Sequence, residues 1–398
     1  MTLPTVHPFL MGILRGTDLE ALVLPALEDQ AWEKIVRDAT QQELLPILYR
    51  WLKTSNSGRM PPALILDQIK ERVWRLTAWN LVLAQELASI LRAFEVRRVA
   101  CVPLRGLALA ELLYGDITVR PMGDIDLLVH KKDLPAVAET LNGLGFQELD
   151  RRLGFAQAFY YTLEFFKDRH NGVIVEPHWT IAYPPFGDRV NMDMVWKRCV
   201  RGQVVGIDTW LLDRADLIVH LCLHLIHHSD KAPLLWFYEL DRFLRQEKAA
   251  LDWSQVLRVA RQTGLELLLV QVLGKVMDLF DSPIPDHVVS ELRSQLTPHR
   301  GRVVGASVES RMVRLLANYS GVHGGEQFAL LFTIKGLRPR FRYAFGLLFP
   351  SPQFMLLRYG LSTRKPLGLY YIARVVHLSW KGLKWLAGLL VSGGTPRQ

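Results

Sequence analysis

Two aspartates separated by one residue, Asp124 and Asp126, stand in an apolar run that continues through Ile125, Leu127, Leu128 and Val129. In a β-strand, residues two apart face the same side, about 7 Å from each other along the backbone. Both carboxylates would then aim at one spot. Ionised carboxylates on a buried strand repel each other and lose hydration unless a cation lies between them. All-oxygen ligands suit a hard divalent ion that shares its sphere with substrate phosphates, so Mg²⁺ or Mn²⁺ is the expected cofactor. Upstream, residues 99–104 read as a strand, Arg105-Gly106 as a tight turn and residues 107–114 as a short helix. The first N–H groups of such a helix are free to face a phosphate, so phosphate and metal would meet at adjacent strand ends.

The stretch LRGLALAELLY…RPMGDIDLLV, within residues 104–129, resembles the polymerase-beta-like nucleotidyltransferase superfamily, and specifically its bacterial "uncharacterised nucleotidyltransferase" family. The resemblance is good over residues 99–178 and looser elsewhere. It implies a third carboxylate from a neighbouring strand, for which VIVEPHW at residues 173–179 supplies Glu176. Asp124, Asp126 and Glu176 would then be the catalytic metal ligands, with Arg105, Gly106, Arg120, Gly123 and His178 serving the nucleotide. The implied reaction moves a nucleoside monophosphate from a nucleoside triphosphate to a hydroxyl and releases pyrophosphate. Arg105 and Arg120 offer guanidinium forks for phosphate oxygens, and His178 shares a strand face with Glu176. Two positions depart from the family's pattern: Arg105 replaces the usual Lys, and Glu176 the usual Asp, which moves a ligand by one methylene. Each residue also has a plain structural explanation. An Asp-x-Asp pair can be a solvated strand edge, a single carboxylate can face water, an arginine before Pro121 can lie on the surface, and a histidine beside Trp179 can be half-buried.

The elements that must position these groups read as helical, then mixed, then helical, giving an α+β fold with a small mixed sheet flanked by helical regions. Residues 1–95 form the N-terminal helical region, with apolar spacings of three and four such as Leu83, Leu87, Ile90 and Leu91. Residues 96–180 form the nucleotidyltransferase core, with a helix at 134–144, strands at 159–166 and 173–179, and Asn171-Gly172 as a hairpin turn. Residues 181–327 return to helices, and 328–398 form a basic amphipathic tail. His220, His224, His227 and His228 fall near one helical face, a spacing that suits zinc, although no H-E-x-x-H motif is present. The family resemblance instead makes them a stripe beside the nucleotide cleft, braced with Asp241 of the next helix.

The 398 residues, 49% of them hydrophobic, suffice for more than one core, and the net charge of +9 favours anionic partners without choosing among them. Three scattered cysteines, Cys101, Cys199 and Cys222, fit a reducing compartment, and the N-terminus lacks a signal-peptide pattern, so a cytoplasmic location is expected. In the tail, Lys335, Arg338, Arg340 and Arg342 precede a helix at 371–391 whose Arg374, His377, Lys381 and Lys384 form a basic stripe. Charged groups interrupt this helix too often for a membrane span, which leaves packing on the body or peripheral contact with an anionic membrane. The rival to the enzyme is therefore an inactive relative of the same fold that binds membrane or nucleic acid through its tail. The acceptor, whether small molecule, protein or RNA end, and the preferred base are not written in any linear motif.

Overall fold

Among the described residues, apolar residues spaced three and four apart build four helices ahead of the first strand: α1 (Pro8–Arg15), α2 (Asp29–Gln41), α3 (Leu45–Thr54) and α4 (Ala63–Val96). The computed structural model describes residues 6–16, 28–55, 60–149, 154–168, 172–183, 186–228, 231–294, 331, 334, 336–360 and 366–392. At 34 residues, α4 is about 51 Å long, and it joins two cores. Its early residues Ile69 and Val73 pack with α1 to α3, while Leu83, Leu87, Ile90, Leu91 and Phe94 pack beneath the sheet.

The sheet follows as β1 (Cys101–Leu104), α5 (Gly106–Tyr114), β2 (Ile125–Val129), α6 (Leu134–Gly143), β3 (Gln147–Glu148), α7 (Phe155–Phe159), β4 (Phe165–Lys167) and β5 (Val173–His178). Its order is β1-β2-β5-β4-β3, with β2 and β5 parallel and the other pairs antiparallel. All five residues of β2 are buried. The strand's alternation sends Ile125, Leu127 and Val129 into the core shared with α4, and Leu128 into the core shared with the later helices. Asp126 is on the Leu128 side. The expected strand at 159–166 is corrected to a helix ending at Phe159 and a three-residue strand from Phe165, because Phe155, Ala156 and Phe159 follow a helical spacing and turn their side chains inward. Gly172, at φ +89°, sits against the Phe166 ring at the β4–β5 connection; Asn171, its expected turn partner, lies outside the described residues.

Beyond the sheet come α8 (Met192–Arg198), β6 (Val200–Val204), β7 (Ile207–Leu211), α9 (Arg214–His228), α10 (Leu234–Gln246), α11 (Trp253–Thr263), α12 (Glu266–Phe280) and α13 (Asp286–Ser294). The antiparallel β6–β7 pair corrects the expectation that this region is helical throughout. Val205 and Gly206, both at positive φ, make its tight turn, and Thr209 Oγ1 donates to the Cys101 carbonyl at 2.8 Å. Toward the end of the described residues, α14 (Leu337–Leu348) and α16 (Leu367–Ser392) share a cluster with α7 through Phe155, Phe159, Tyr343, Leu347 and Leu378, and α15 (Pro352–Arg358) packs on α16. All three cysteines are buried free thiols. Among the described residues, no helix is long and apolar enough to cross a membrane.

Candidate active site

A cavity of about 420 Å³ opens where β2 begins, walled by the turn between β1 and α5, the loop before β2, the end of β5, and α9 and α10. Parallel pairing sets Asp126 directly opposite Glu176. His178 donates from Nε2 to Asp126 Oδ1 at 2.8 Å and lies 3.8 Å from Glu176 Oε2. Asp126, Glu176 and His178 each offer one ligand atom within 4.8 Å of the others. Asp124 stands one residue before β2, at the cavity rim and outside that group.

The charge balance fits a divalent cation. Burial, followed by the charges of Asp126 and Asp124, pushes the Glu176 carboxyl up to about 8. Burial and then Asp126 push Asp124 up to about 6; one side of it is open to solvent, and the crowded side accounts for the shift. Burial also opposes ionisation of Asp126, but the Arg105 guanidinium and His178 outweigh it and hold this carboxyl well below the usual range. Carboxyls that keep protons because they crowd one another release them to a metal ion. Asp126 and Glu176, with Asp124 at the rim, offer carboxylate oxygens that could hold a divalent metal ion, while the His178 Nε2–H is engaged by Asp126.

Arg105 occupies the turn at φ +49°, a conformation unusual for a side chain larger than glycine, and Gly106 follows at +38°. This turn throws the Arg105 side chain into the cavity, where it forms an ion pair with Asp126 and donates to the His224 ring. Its Nε is buried without a partner. Gly106 begins α5 and lines the cavity together with Gly123.

Arg120, expected to bind phosphate, lines the cavity, is buried, and donates from Nε to Glu239 Oε1 of α10 at 2.8 Å. It thereby fixes the loop that carries Asp124. On the other side of that loop, Asn80 Nδ2 donates to the carbonyls of Ile117 and Arg120 at 2.6 and 2.7 Å, and Trp79 Nε1 donates to the Met122 carbonyl at 3.1 Å. Asp241, read as the brace for the cleft, instead bonds Arg245 and Ser282 and is not part of the cavity wall. Glu239 takes the bracing role. Nothing in FYELDRF distinguishes Glu239 from Asp241, but Asn80 carries a signal: it interrupts the apolar spacing Val73, Leu83, Leu87 of α4.

His220, His224, His227 and His228 all line the cavity, and among the described residues they form no metal-ligating group. His220 donates from Nδ1 to the Ile181 carbonyl at 2.9 Å, leaving Nε2 buried and unpartnered as a hydrogen-bond acceptor. Burial and then Arg105 lower His220 to about 3 and push His224 well down; burial and then His227 lower His228 to about 3. His220, His224 and His228 are therefore uncharged at neutral pH. Trp236, Tyr161 and Tyr183, which pack against the imidazoles of this wall, extend it with aromatic rings.

A parallel strand pair that presents opposed carboxylates beside a strand-turn-helix unit defines a nucleotidyltransferase-type α+β fold. The chain belongs to the uncharacterised nucleotidyltransferase family, whose model matches residues 28–281. Among solved structures, it is similar to the antibiotic-resistance factor ANT(2'')-Ia at 16% identity, over 50% of this chain and 96% of that one, with a TM-score of 0.30. It is also similar to an antigenic nucleotidyltransferase-like protein from Paracoccidioides brasiliensis at 12% identity, over 54% of this chain and 91% of that one, with a TM-score of 0.32. No curated protein matches the chain.

Proposed function

We propose that this protein transfers a nucleoside monophosphate from a nucleoside triphosphate to a hydroxyl of an acceptor, with pyrophosphate as the leaving group. The observation that carries this reading is the pairing of Asp126 with Glu176 on adjacent strands, at a cavity that also receives the Gly106 turn. Asp126 and Glu176, with Asp124 at the rim, are the ligands for Mg²⁺ or Mn²⁺, and His178 orients Asp126. A divalent cation held there would neutralise charge that develops on the transferring phosphoryl group. Arg105 and the first N–H groups of α5 bind phosphate oxygens, while Gly123 leaves room for them. Arg120 holds the Asp124 loop in place through Glu239. The histidine wall faces the acceptor, and His220 Nε2 accepts a hydrogen bond from its hydroxyl.

The Arg105 ion pair with Asp126 favours a second reading, in which the chain binds a nucleotide without transferring it. Calorimetric titration of each ribonucleoside triphosphate with and without Mg²⁺, on the wild type and on the Asp124→Asn/Asp126→Asn variant, separates the two. Metal-dependent binding lost in the variant supports transfer. Binding that ignores both the metal and the substitutions would refute it and leave the nucleotide-binding reading.

A further inference from the structure

We propose that α14 and α16 form a surface that lies flat on an anionic lipid bilayer. Both helices leave an apolar stripe in solvent. On α14 and just past its end, Leu337, Phe341, Phe345 and Phe349 recur every four residues and are 41 to 83% exposed. On α16, Leu369, Ile372, Val376, Trp380 and Leu383 recur at steps of three and four and are 59 to 64% exposed. The phenyl rings of Phe345 and Phe349 pack at 5.0 Å, and Tyr371 of α16 continues the row at 6.1 Å from Phe349. Arg374, expected in the basic stripe, turns inward and donates from Nε to the Leu347 carbonyl at 3.1 Å, and the Tyr371 hydroxyl donates to the Pro350 carbonyl at 2.7 Å. These bonds fix the two helices against each other. Ten of the eighteen large apolar side chains exposed among the described residues fall within residues 337–383. Exposed apolar surface concentrated in this way marks a contact surface.

Charge selects the partner. Beyond Glu326 the sequence has eleven Lys and Arg residues and no Asp or Glu, so residues 1–326 carry two more acidic than basic residues. The whole cationic excess of the protein therefore sits at the end that exposes the apolar stripes. On α16, His377, Lys381 and Lys384 flank the stripe, where lysine stems lie along the apolar face and the ammonium groups reach toward headgroups. A second copy of the chain would oppose cation to cation on this face. A nucleic acid would meet the cations but leave Leu369, Ile372, Val376 and Leu383 with no apolar partner. An anionic bilayer satisfies both features, and α16 with its charged flank lies in the interface and does not span it. The surface also lies outside residues 28–281, the part matched by the family model.

The test is co-sedimentation of the full-length protein with vesicles of mixed phosphatidylcholine and phosphatidylglycerol, and with vesicles of phosphatidylcholine alone. The wild type should partition into the anionic vesicles and lose this partitioning as salt rises. The surface variants Ile372→Ser/Val376→Ser/Trp380→Ser and Lys381→Glu/Lys384→Glu should each lower the partition coefficient at least about tenfold, with circular dichroism and thermal transition unchanged. Absent or unaltered partitioning across these proteins overturns the proposal. So does a solution dimer that the serine variant abolishes without any vesicle binding, which would assign the stripes to a second copy. RNA binding by the wild type with no vesicle binding would overturn it as well.

Discussion

The carboxyl of Glu176 titrates near 8 because it is buried beside Asp126 and Asp124, and this makes cation binding steeply pH-dependent. A ligating carboxylate must give up its proton, so below pH 8 each unit of acidity weakens the site by about tenfold, or about 1.4 kcal/mol. Between pH 6 and pH 8 the affinity for Mn²⁺ should rise about fiftyfold, with close to one proton released per ion at pH 7. Asp124, at about 6, adds only a factor of about two over this range. The sign in the metal-free protein is the opposite. The folded chain holds the Glu176 proton that the unfolded chain, at about 4.5, has already lost, so stability falls as pH climbs from about 4.5 to about 8. Calorimetry in buffers of different ionisation enthalpy counts the protons directly, and Glu176→Gln should weaken binding and abolish its pH slope. An affinity that changes less than about threefold from pH 6 to 8, with no proton uptake by the buffer, would refute the assignment of Glu176 as a ligand.

Two further perturbations probe the supports of the site and of the C-terminal helices. Glu239→Ala removes the carboxylate bonded to the buried Arg120 guanidinium and should cost about 3 to 5 kcal/mol, read as a lower urea midpoint. The same variant should weaken Mn²⁺ binding by loosening the loop that carries Asp124. Gly346→Ala drives a methyl group into the Phe155 ring where α14 meets α7, and should destabilise that docking by about 1 to 3 kcal/mol. Faster protease cleavage ahead of α14, with the sheet still protected, is the expected readout.

The residues of the candidate site are legible in the sequence because each lies in a short local pattern. Asp124, Asp126 and Glu176 occur in short strand-like runs, and the Arg105-Gly106 turn announces itself by glycine and by the change of period on either side. The α+β class follows from the same runs. The β6–β7 pair is hard to read because its strands are only five residues each, carry Arg201, Gln203 and Asp208, and turn at Val205-Gly206, which is not a common hairpin dipeptide. The stripe His220, His224, His227 and His228 is visible as a helical face, but the neutrality of His220 and His224 depends on burial and on Arg105, which lies 119 residues from His224 in sequence.

The partners of the cations were illegible for a related reason. Arg105 and Arg120 both read as phosphate ligands, since nothing nearby in sequence distinguishes an arginine that waits for an anion from one already paired. Their fates diverge through α10. Glu239 rises from that helix to take Arg120, whereas Arg105 meets Asp126 and the His224 ring and keeps a buried Nε without a partner. The long helix α4 completes this division of labour. Its first half belongs to one core, its second half to the other, and Trp79 and Asn80, at the changeover, hold the backbone of the loop that ends in Asp124. The carboxylate at the rim is thus clamped from both cores, while β2 and β5 fix Asp126 and Glu176 through strand register. A ligand that draws Asp124 toward Asp126 must strain a loop anchored to α4 and α10, so the site closes only as far as those anchors yield.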